Sequence, residues 1–171
     1  FIEQNEDYPR INRIRYLAEE KIYLRNNSPT SIINWFEKYP PLGGLGKIKL
    51  AEAYLEKNQI KEVKKLVKEG WVTASIRKND LGYYRAKFKK FIDTDDHIKR
   101  ADYLAWERKY WDLKRMLKYL PTDQRALYNA RQILMSNSYG VDNAISKVPQ
   151  YLKEDPGLEF DRLRWRNRRG R

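Results

Sequence analysis

The segment HIKRADYLAWERKYWDLKRMLKYLP, residues 97–121, contains two apolar stripes separated by a short polar stretch. Its apolar residues recur at helical spacings of three and four: Ala101, Leu104 and Ala105, then Leu113, Met116, Leu117 and Leu120. This spacing is typical of two short amphipathic helices, each with one apolar face. The polar stretch Glu107-Arg108-Lys109 is expected to form the turn between them, and Pro121 to end the second helix. The segment therefore predicts a helical hairpin.

The same pattern occurs fifty residues earlier, because residues 49–71 align without a gap on residues 99–121. The paired positions are Lys49 with Lys99, Ala51 with Ala101, Glu52 with Asp102, Glu62 with Asp112, Val63 with Leu113, Lys64 with Lys114, Lys65 with Arg115, Leu66 with Met116, Val67 with Leu117 and Lys68 with Lys118. A looser copy covers residues 127–149, and residues 17–39 are the candidate for a fourth. A hairpin this short cannot bury both of its faces alone, so its repeats are expected to stack.

These repeats predict an all-α protein. No segment shows the strict alternation of apolar and polar residues, bounded by turn residues, that a half-buried strand requires. We expect a single domain, residues 1–171, in which about ten helices stack as hairpins into a right-handed superhelix, or solenoid.

Several helix boundaries are also predicted. Ser28-Pro29 and Asp155-Pro156 each place a capping residue before a proline at the first helical position, which is a strong start signal. Apolar spacing predicts further helices over residues 9–24 and 78–90. Gly70 is expected to be the left-handed residue that ends the earlier hairpin.

The composition is strongly basic, with 36 Lys and Arg against 23 Asp and Glu and a formal charge of +13. Such a charge favours an anionic partner: nucleic acid, an acidic membrane surface or a polyanionic wall polymer. The absence of cysteine excludes a disulfide framework and thiolate metal sites. No apolar run approaches the roughly twenty residues of a membrane span. No signal peptide is visible, and a sequence that starts at Phe1 gives little information on this point.

The sequence offers few candidates for catalysis. His97, the one histidine, lies beside two aspartates at a helix start, where it is either a proton carrier or an imidazole satisfied locally, and we favour the second interpretation. The carboxylate pairs Glu19-Glu20, Asp95-Asp96 and Glu52 with Glu56 are the candidates for glycosidic-bond chemistry. The last pair is expected to face solvent among lysines, and Asp95-Asp96 to occupy the first turn of a helix. We therefore predict no catalytic residue, no metal site and no cofactor.

The glycines at 43, 44 and 46, followed by Lys47, resemble a phosphate-binding loop only superficially. No strand precedes them and no Gly-Lys-Ser or Gly-Lys-Thr follows. A loop between two helices is the better interpretation.

Arginines and aromatic residues are the remaining candidates for binding. The last helix carries Arg162, Arg164, Trp165, Arg166, Arg168, Arg169 and Arg171. Arginines with an aromatic residue among them either contact phosphates and bases or form a solvated face. Arg162, Arg166 and Arg169 are the candidate contacts for an anion or a glycan. The aromatic residues Trp106, Trp111, Tyr110 and Tyr119 either line a sugar-binding groove or pack between helices.

One family resemblance covers most of the chain, from about Ser28 to Arg171. The run 96–106, DHIKRADYLAW, resembles the Asp-His, Arg, Asp, Leu-Leu-Trp segment in the superhelical domain of soluble lytic transglycosylases, with Ala105 in place of the second leucine. Later landmarks follow in the same order: Arg125-Ala126-Leu127, Ala130-Arg131, Lys147-Val148-Pro149, Asp155-Pro156-Gly157-Leu158, Asp161-Arg162 and Arg164-Trp165-Arg166. The residues of these motifs are mostly structural: Asp96, His97, Arg100, Leu104, Trp106, Arg131, Pro149, Pro156, Gly157, Leu158, Arg162 and Trp165.

The resemblance implies a periplasmic enzyme that cleaves the MurNAc-GlcNAc bond of peptidoglycan without water, a carbohydrate lyase. In that family the catalytic glutamate belongs to a separate C-terminal domain marked by Glu-Ser and Gly-Leu-Met-Gln motifs, and neither motif occurs here. The resemblance thus implies the non-catalytic superhelical domain, a fragment of a longer chain, which scaffolds the catalytic domain of the same chain and helps to bind peptidoglycan glycan strands.

Two alternatives stay open at this stage. One is a helical-repeat scaffold for protein–protein interaction, although the usual 34-residue pattern is missing. The other is a basic helical domain that binds nucleic acid, which we regard as the weaker interpretation and which predicts a steep loss of affinity with added salt.

Overall fold

The computed structural model describes residues 1–136 and 139–170. Those residues form ten α-helices and no β-strand. The helices are α1 Ile11–Glu19, α2 Pro29–Lys38, α3 Gly44–Glu56, α4 Ile60–Trp71, α5 Lys78–Lys87, α6 Thr94–Trp106, α7 Tyr110–Met116, α8 Thr122–Leu134, α9 Val141–Ser146 and α10 Pro156–Arg168. Short 3₁₀ turns occur at Ile2–Gln4, Leu117–Tyr119 and Gln150–Leu152. The prediction of an all-α fold is confirmed, whereas the handed superhelix stays a prediction.

The helices fall into two compact units, Phe1–Asp93 and Thr94–Arg171. In the first unit, α3 and α4 form a hairpin, and α1 and α2 pack against α3. In the second unit, α6 and α7 form the equivalent hairpin, and α8 packs against both of them and against α9 and α10. In each unit, therefore, one central helix contacts most of the others.

The fifty-residue repeat is also a repeat of the backbone. Helix α6 begins and ends fifty positions after α3, and α7 begins fifty positions after α4. Asn58 and Arg108 both have φ of 55° and are the two non-glycine residues with positive φ in the described part of the chain. The following amides close both turns, since Gln59 N donates to Tyr54 O (3.0 Å) and Lys109 N donates to Leu104 O (2.8 Å). The alignment therefore identified a true structural unit.

The predicted apolar stripes form the core of each hairpin. The buried residues on the second hairpin are Ala101, Leu104, Ala105, Leu113, Met116 and Leu120, and those on the first include Ala51, Ala53, Val63, Val67 and Trp71. Burial of each larger side chain contributes roughly 1.5–3 kcal/mol. The small alanines let the paired helices approach, as expected from the sequence.

The two cap-then-proline starts are confirmed by hydrogen bonds. Ser28 Oγ accepts from Ser31 N at 3.1 Å, and Asp155 Oδ1 accepts from Leu158 N at 2.8 Å. Each side chain satisfies one of the amides that a helix start leaves without a backbone partner.

Some predicted boundaries are wrong. The helix expected over residues 9–24 ends at Glu19, and the helix expected over residues 78–90 ends at Lys87. Beyond Glu19, Ile22 and Leu24 still pack on the core around α2 and α3, but from an irregular segment. Tertiary packing of apolar side chains has here overridden the helical periodicity.

Gly70 is not the left-handed cap that the sequence suggested, because it lies inside α4 and has no positive φ. Its role is close approach. A Cβ atom at Gly70 would lie 2.8 Å from Gly44 O and 2.9 Å from Lys47 Cβ. The glycine therefore lets the end of α4 contact the start of α3.

We predict that Gly70→Ala destabilises the chain by about 1–3 kcal/mol, because the added methyl group overpacks the contact between α3 and α4. The matched control is Gly82→Ala in α5, where a Cβ atom would meet nothing within 4 Å. That variant should gain roughly 0.5–1 kcal/mol from reduced backbone entropy in the unfolded state. Urea unfolding of both variants measures the difference, and equal effects at the two sites would contradict the packing argument.

Candidate functional site

A buried ion-pair cluster lies at the centre of the second unit. Arg131 on α8 is 0% exposed. Its Nη1 lies 2.7 Å from Asp102 Oδ1 on α6, and its Nε lies 2.9 Å from Asp161 Oδ2 on α10. Asp161 is also buried, and Arg108 Nη1 lies 3.9 Å from its other carboxylate oxygen. Since a buried charge is costly unless it is paired, these contacts hold three helices together.

Rings and a glycine complete this cluster. The Arg131 guanidinium carbon lies 5.0 Å from the Trp106 ring centroid and 5.7 Å from that of Tyr128. A Cβ atom at Gly157 would lie closer than 3.0 Å to the same guanidinium. The guanidinium is held by two carboxylates and cannot yield, so only glycine fits at position 157. Three residues of the family motif, Trp106, Arg131 and Gly157, thus meet in one packing cluster.

Burial raises the pKa of the Asp161 carboxyl group, although Arg131 opposes this shift. The paired carboxylates raise the pKa of Arg131, which therefore stays charged. The cluster has the geometry of a structural ion pair, in which the charge of Arg131 is balanced by the carboxylates of Asp102 and Asp161.

We predict that Asp161→Asn destabilises the chain by about 3–5 kcal/mol, because it leaves the buried Arg131 with an unbalanced charge. Asp102→Asn is the matched control. The Asp102 side chain is 43% exposed, so its loss should cost only about 1 kcal/mol. Chemical denaturation of the two single variants measures both losses, and equal losses would argue against a buried ion pair as the main stabilising contact.

Two further arginines bond the end of α8. Arg168 donates from Nη1 to Met135 O (3.1 Å) and from Nη2 to Leu134 O (2.5 Å), and Arg108 Nη2 donates to Met135 O (3.3 Å). Carbonyls at a helix C-terminus lack backbone partners and carry partial negative charge. Arg108 and Arg168 therefore serve the fold and are not free for a ligand.

The candidate anion contacts lie on one side of α10. Arg162 is half-buried, whereas Arg166 and Arg169 are exposed, and the Arg169 guanidinium carbon lies 4.5 Å from the Trp165 ring centroid. Their spacing of four and three residues places them on a common helix face. Arg171 lies outside the described residues.

An exposed pair of aromatic rings, Trp106 on α6 and Phe160 on α10, lies beside the buried face of α10, on the side away from Arg162. Trp106 is 47% exposed and Phe160 is 41% exposed, and their ring centroids lie 5.4 Å apart. The Arg164 guanidinium carbon lies 5.5 Å from the Phe160 ring centroid. We call Trp106, Phe160 and Arg164 the aromatic surface. At about 100° per residue, it is separated from the Arg162 face by the buried stripe of α10.

The other predicted aromatic residues are divided between packing and exposure. Tyr119 stacks on His97 with ring centroids 5.8 Å apart, and Tyr110 contacts Trp111 edge to face at 5.0 Å. Trp111 is exposed and lies near Lys114. No contact that the structure describes therefore joins Tyr110, Trp111 and Tyr119 to Trp106 in one continuous groove.

The remaining residues of the family motif are mainly packing residues. Among the twelve, those buried are Asp96, Arg100, Leu104, Arg131, Gly157 and Leu158, those half-buried are His97, Pro149, Arg162 and Trp165, and those exposed are Trp106 and Pro156. Burial of half of this set agrees with a structural role for the motif.

The first unit contains a second buried charge cluster, which sequence reasoning missed in part. Glu52 was expected to face solvent with Glu56, but it is 3% exposed. Its Oε1 accepts hydrogen bonds from the Tyr83 hydroxyl and from Lys87 Nζ (3.1 Å). Lys87 also binds the exposed Glu56 at 2.9 Å. The two glutamates do share a helix face, but α5 covers one of them.

Lys49 is a buried cation on the same helix. Its Nζ donates to Glu20 O at 2.8 Å and lies 3.9 Å from the Tyr23 ring centroid. Burial lowers the pKa of Lys49 from 10.5 to about 8, more than nearby Asp80 and Glu52 raise it. At pH 7 it remains an ammonium group with one carbonyl and one ring as neighbours.

We predict that the free energy of unfolding rises between about pH 8 and pH 9.5, because folded Lys49 loses its proton while the unfolded lysine keeps it. Lys49→Met should remove this rise, and Lys99→Met, the exposed position fifty residues later, should keep it. Burial also raises the pKa of Tyr84, so that its titration lies above this window. Urea midpoints across the window measure the slope, and an unchanged slope in Lys49→Met would contradict the assignment.

An internal carboxylate, that of Glu19, lies against the glycine-rich segment that contains Gly43, Gly44 and Gly46. Glu19 accepts from Leu42 N at 2.6 Å and from Gly43 N at 3.3 Å. A Cβ atom at Gly46 would lie closer than 3.0 Å to that carboxylate. Only Gly43 lies in the link between α2 and α3, because Gly44, Gly46 and Lys47 belong to the start of α3, so the predicted loop is wrong for these three residues. The amides of Leu42 and Gly43 bind the protein's own acid where a phosphate loop would bind a ligand.

No group of three His, Asp or Glu side chains in residues 1–136 and 139–170 is arranged to hold a metal ion. None of the helices in that part of the chain has the length and apolarity needed to cross a membrane.

Comparisons with protein-family models, with curated proteins and with solved structures found no match for this chain. They therefore do not link it to the lytic transglycosylases. The resemblance to that family rests on the motif residues alone.

Proposed function

We propose that this chain is the non-catalytic superhelical domain of a peptidoglycan lytic transglycosylase and that it contacts glycan strands. The observation that carries the proposal is the aromatic surface on the second unit. Two aromatic rings, each a little less than half exposed, lie there with their centroids 5.4 Å apart, and a guanidinium lies next to one of them. Aromatic rings of this kind pack on the apolar faces of sugar rings, and the guanidinium donates hydrogen bonds to sugar oxygens.

The arrangement of the family motif supports the same proposal. Arg131, Gly157 and Asp161 are separated by up to thirty residues in the sequence, yet they form one buried cluster. A motif made of such contacts maintains a scaffold and performs no chemistry. This agrees with a domain whose parent enzyme holds its catalytic glutamate elsewhere.

Charge provides a second, less specific contact. Arg162, Arg166 and Arg169 lie on the other flank of α10 from the aromatic surface. Peptidoglycan stem peptides carry carboxylates, which these arginines attract over about one Debye length, roughly 8 Å at physiological ionic strength. The proposal accordingly includes a salt-sensitive part.

The wider role follows from the resemblance. In the proposed function the hairpins stack into a right-handed superhelix that serves as one domain, docks the catalytic domain of the same chain and acts in the periplasm.

We predict that Phe160→Ala reduces retention of the chain on washed peptidoglycan sacculi about threefold to tenfold, because one stacking ring is lost. The matched control is Tyr139→Ala, since Tyr139 is 96% exposed and has no described contact with the aromatic surface. Co-sedimentation measures the bound fraction. Retention that is the same in both variants would remove the aromatic surface from the proposal.

A second experiment tests the contribution of the arginines to retention on sacculi. The triple variant Arg162→Gln, Arg166→Gln, Arg169→Gln should lose retention mainly at low salt, whereas Lys57→Gln, Lys61→Gln, Lys65→Gln carries the same charge change on exposed positions of the first unit. Equal losses would mean that net charge alone drives binding. Tight, salt-dependent binding to DNA without retention on sacculi would favour the nucleic-acid alternative, and release of anhydro-muropeptides by this chain would contradict a non-catalytic role.

A further inference from the structure

The first unit contains a cavity that the proposed function does not use. Its volume is about 270 Å³, and it is lined by Tyr23, Leu24, Arg25, Glu52, Asp80, Tyr83 and Tyr84. Pockets for drug-sized ligands begin near 300 Å³, so this cavity suits a ligand with a single ring. We call it the tyrosine cavity.

Two carboxylates of the tyrosine cavity have acceptor oxygens to spare. Glu52 is buried, and only its Oε1 accepts hydrogen bonds from the residues that the structure describes. Asp80 is half-buried, and the Tyr23 hydroxyl lies 3.4 Å from its Oδ2. Glu52 Oε2 and Asp80 Oδ1 accept none within the described part of the chain. An ionised carboxylate can only accept, so a ligand that satisfies these atoms must donate.

Aromatic rings form the walls. Tyr84 is buried and Tyr83 is 51% exposed, and their ring centroids lie 5.2 Å apart. Burial raises the pKa of both phenols, so that each remains a neutral hydroxyl group. Arg25 lies over the Tyr23 ring, with its guanidinium carbon 4.6 Å from the centroid. The cavity therefore offers flat apolar faces beside a single strong donor.

Charge disfavours ionic ligands at the two unused carboxylate oxygens. Glu52 and Asp80 repel an anion. A cation meets Arg25 in the lining, Lys87 at 3.1 Å from Glu52 and Lys49 against the Tyr23 ring. The carboxylates are thus already balanced by cations of the protein, and their unused oxygens are suited to neutral hydroxyl donors.

From this geometry we infer that the tyrosine cavity binds one neutral sugar ring. The ring's apolar C–H face stacks on a tyrosine, its hydroxyl groups donate to Glu52 and Asp80, and Arg25 donates to a ring or substituent oxygen. This site is separate from the aromatic surface on α10 and does not depend on it. The sugar is either a free monosaccharide or one unit of a chain, and the test separates these sources.

The experiment titrates each probe into the full chain and measures binding from the chemical shifts of the backbone amides. The probes are N-acetylglucosamine and its β-1,4-linked tetramer, with methylammonium and inorganic phosphate as charged comparisons. We expect both sugars to shift amides near Tyr23, Asp80 and Tyr83, and the charged probes to leave them unchanged. Tighter binding of the tetramer indicates a chain as the source, and equal affinities indicate a free sugar.

Variants at the rim of the tyrosine cavity test the contacts. Arg25→Gln should weaken sugar binding at least about tenfold, and Tyr83→Leu at least about threefold. The matched controls are Lys21→Gln, an exposed cation on the same segment, and Tyr139→Leu, an exposed tyrosine of the second unit. Both should stay within about twofold of the unchanged chain. Unfolding curves confirm that each variant is folded, and Arg25→Gln remains informative if Tyr83→Leu is not.

Three outcomes would overturn the inference: no saturable shift with either sugar, preferential binding of methylammonium or phosphate, or sugar binding that Arg25→Gln and Tyr83→Leu leave unchanged. Retention on sacculi distinguishes this failure from a failure of the proposed function. If free sugars do not bind but Phe160→Ala still lowers retention, only the tyrosine cavity is wrongly assigned.

Discussion

Each unit depends on an ion pair between an acid on the first helix of the hairpin and a cation on the third helix. The acid is buried in the first unit, whereas in the second unit the cation is buried and also binds the buried Asp161. Glu52 on α3 binds Lys87 on α5, and Asp102 on α6 binds Arg131 on α8. A buried tyrosine precedes each cation by three residues, Tyr84 in one unit and Tyr128 in the other. Removing water from a charge is costly, so each pair requires its third helix to pack where the charges meet. The spacing of the tyrosines is 44 residues, not fifty, because in the second unit the second helix is five residues shorter and the connection after it is one residue shorter.

This interaction explains what the sequence could predict and what it could not. The hairpins were predictable because apolar periodicity depends on local geometry. The turn at Glu107-Arg108-Lys109 was predicted too, but the left-handed backbone at Asn58 and Arg108 was not. The fifty-residue alignment paired Lys49 with Lys99, but Lys49 is buried while Lys99 binds Asp95 at the surface. Helix α3 is covered by α1, α2 and α4, so its polar positions are buried too. That burial is set by distant segments, and one sequence carries no direct signal of it.

Several glycines have a different role from the one that the sequence predicted. Gly70 was expected to be the left-handed end of a hairpin, and Gly44 and Gly46 to lie in a loop, yet these residues and Gly157 allow close packing inside helices. At Gly157 the neighbour is a charged guanidinium, and at Gly46 it is the Glu19 carboxylate. Whether a glycine serves a turn or a close contact depends on the residue that packs against it, and only the folded structure identifies that residue. The candidate site was predicted in part. The sequence identified Trp106 and the arginines of α10 but did not identify Phe160 or the tyrosine cavity.

The positive charge of the chain is a property of its surface, and this limits what charge can explain. Among the described residues, four carboxylates are buried, Glu19, Glu52, Asp96 and Asp161, against three buried cations, Lys49, Arg100 and Arg131. The interior is therefore nearly balanced, and the excess of +13 lies almost entirely in solvent. Exposed charges are screened over roughly 8 Å at physiological ionic strength, so they attract any polyanion and select none. In the proposed function, selection comes from the exposed rings of Trp106 and Phe160, whose flat apolar faces pack on sugar rings.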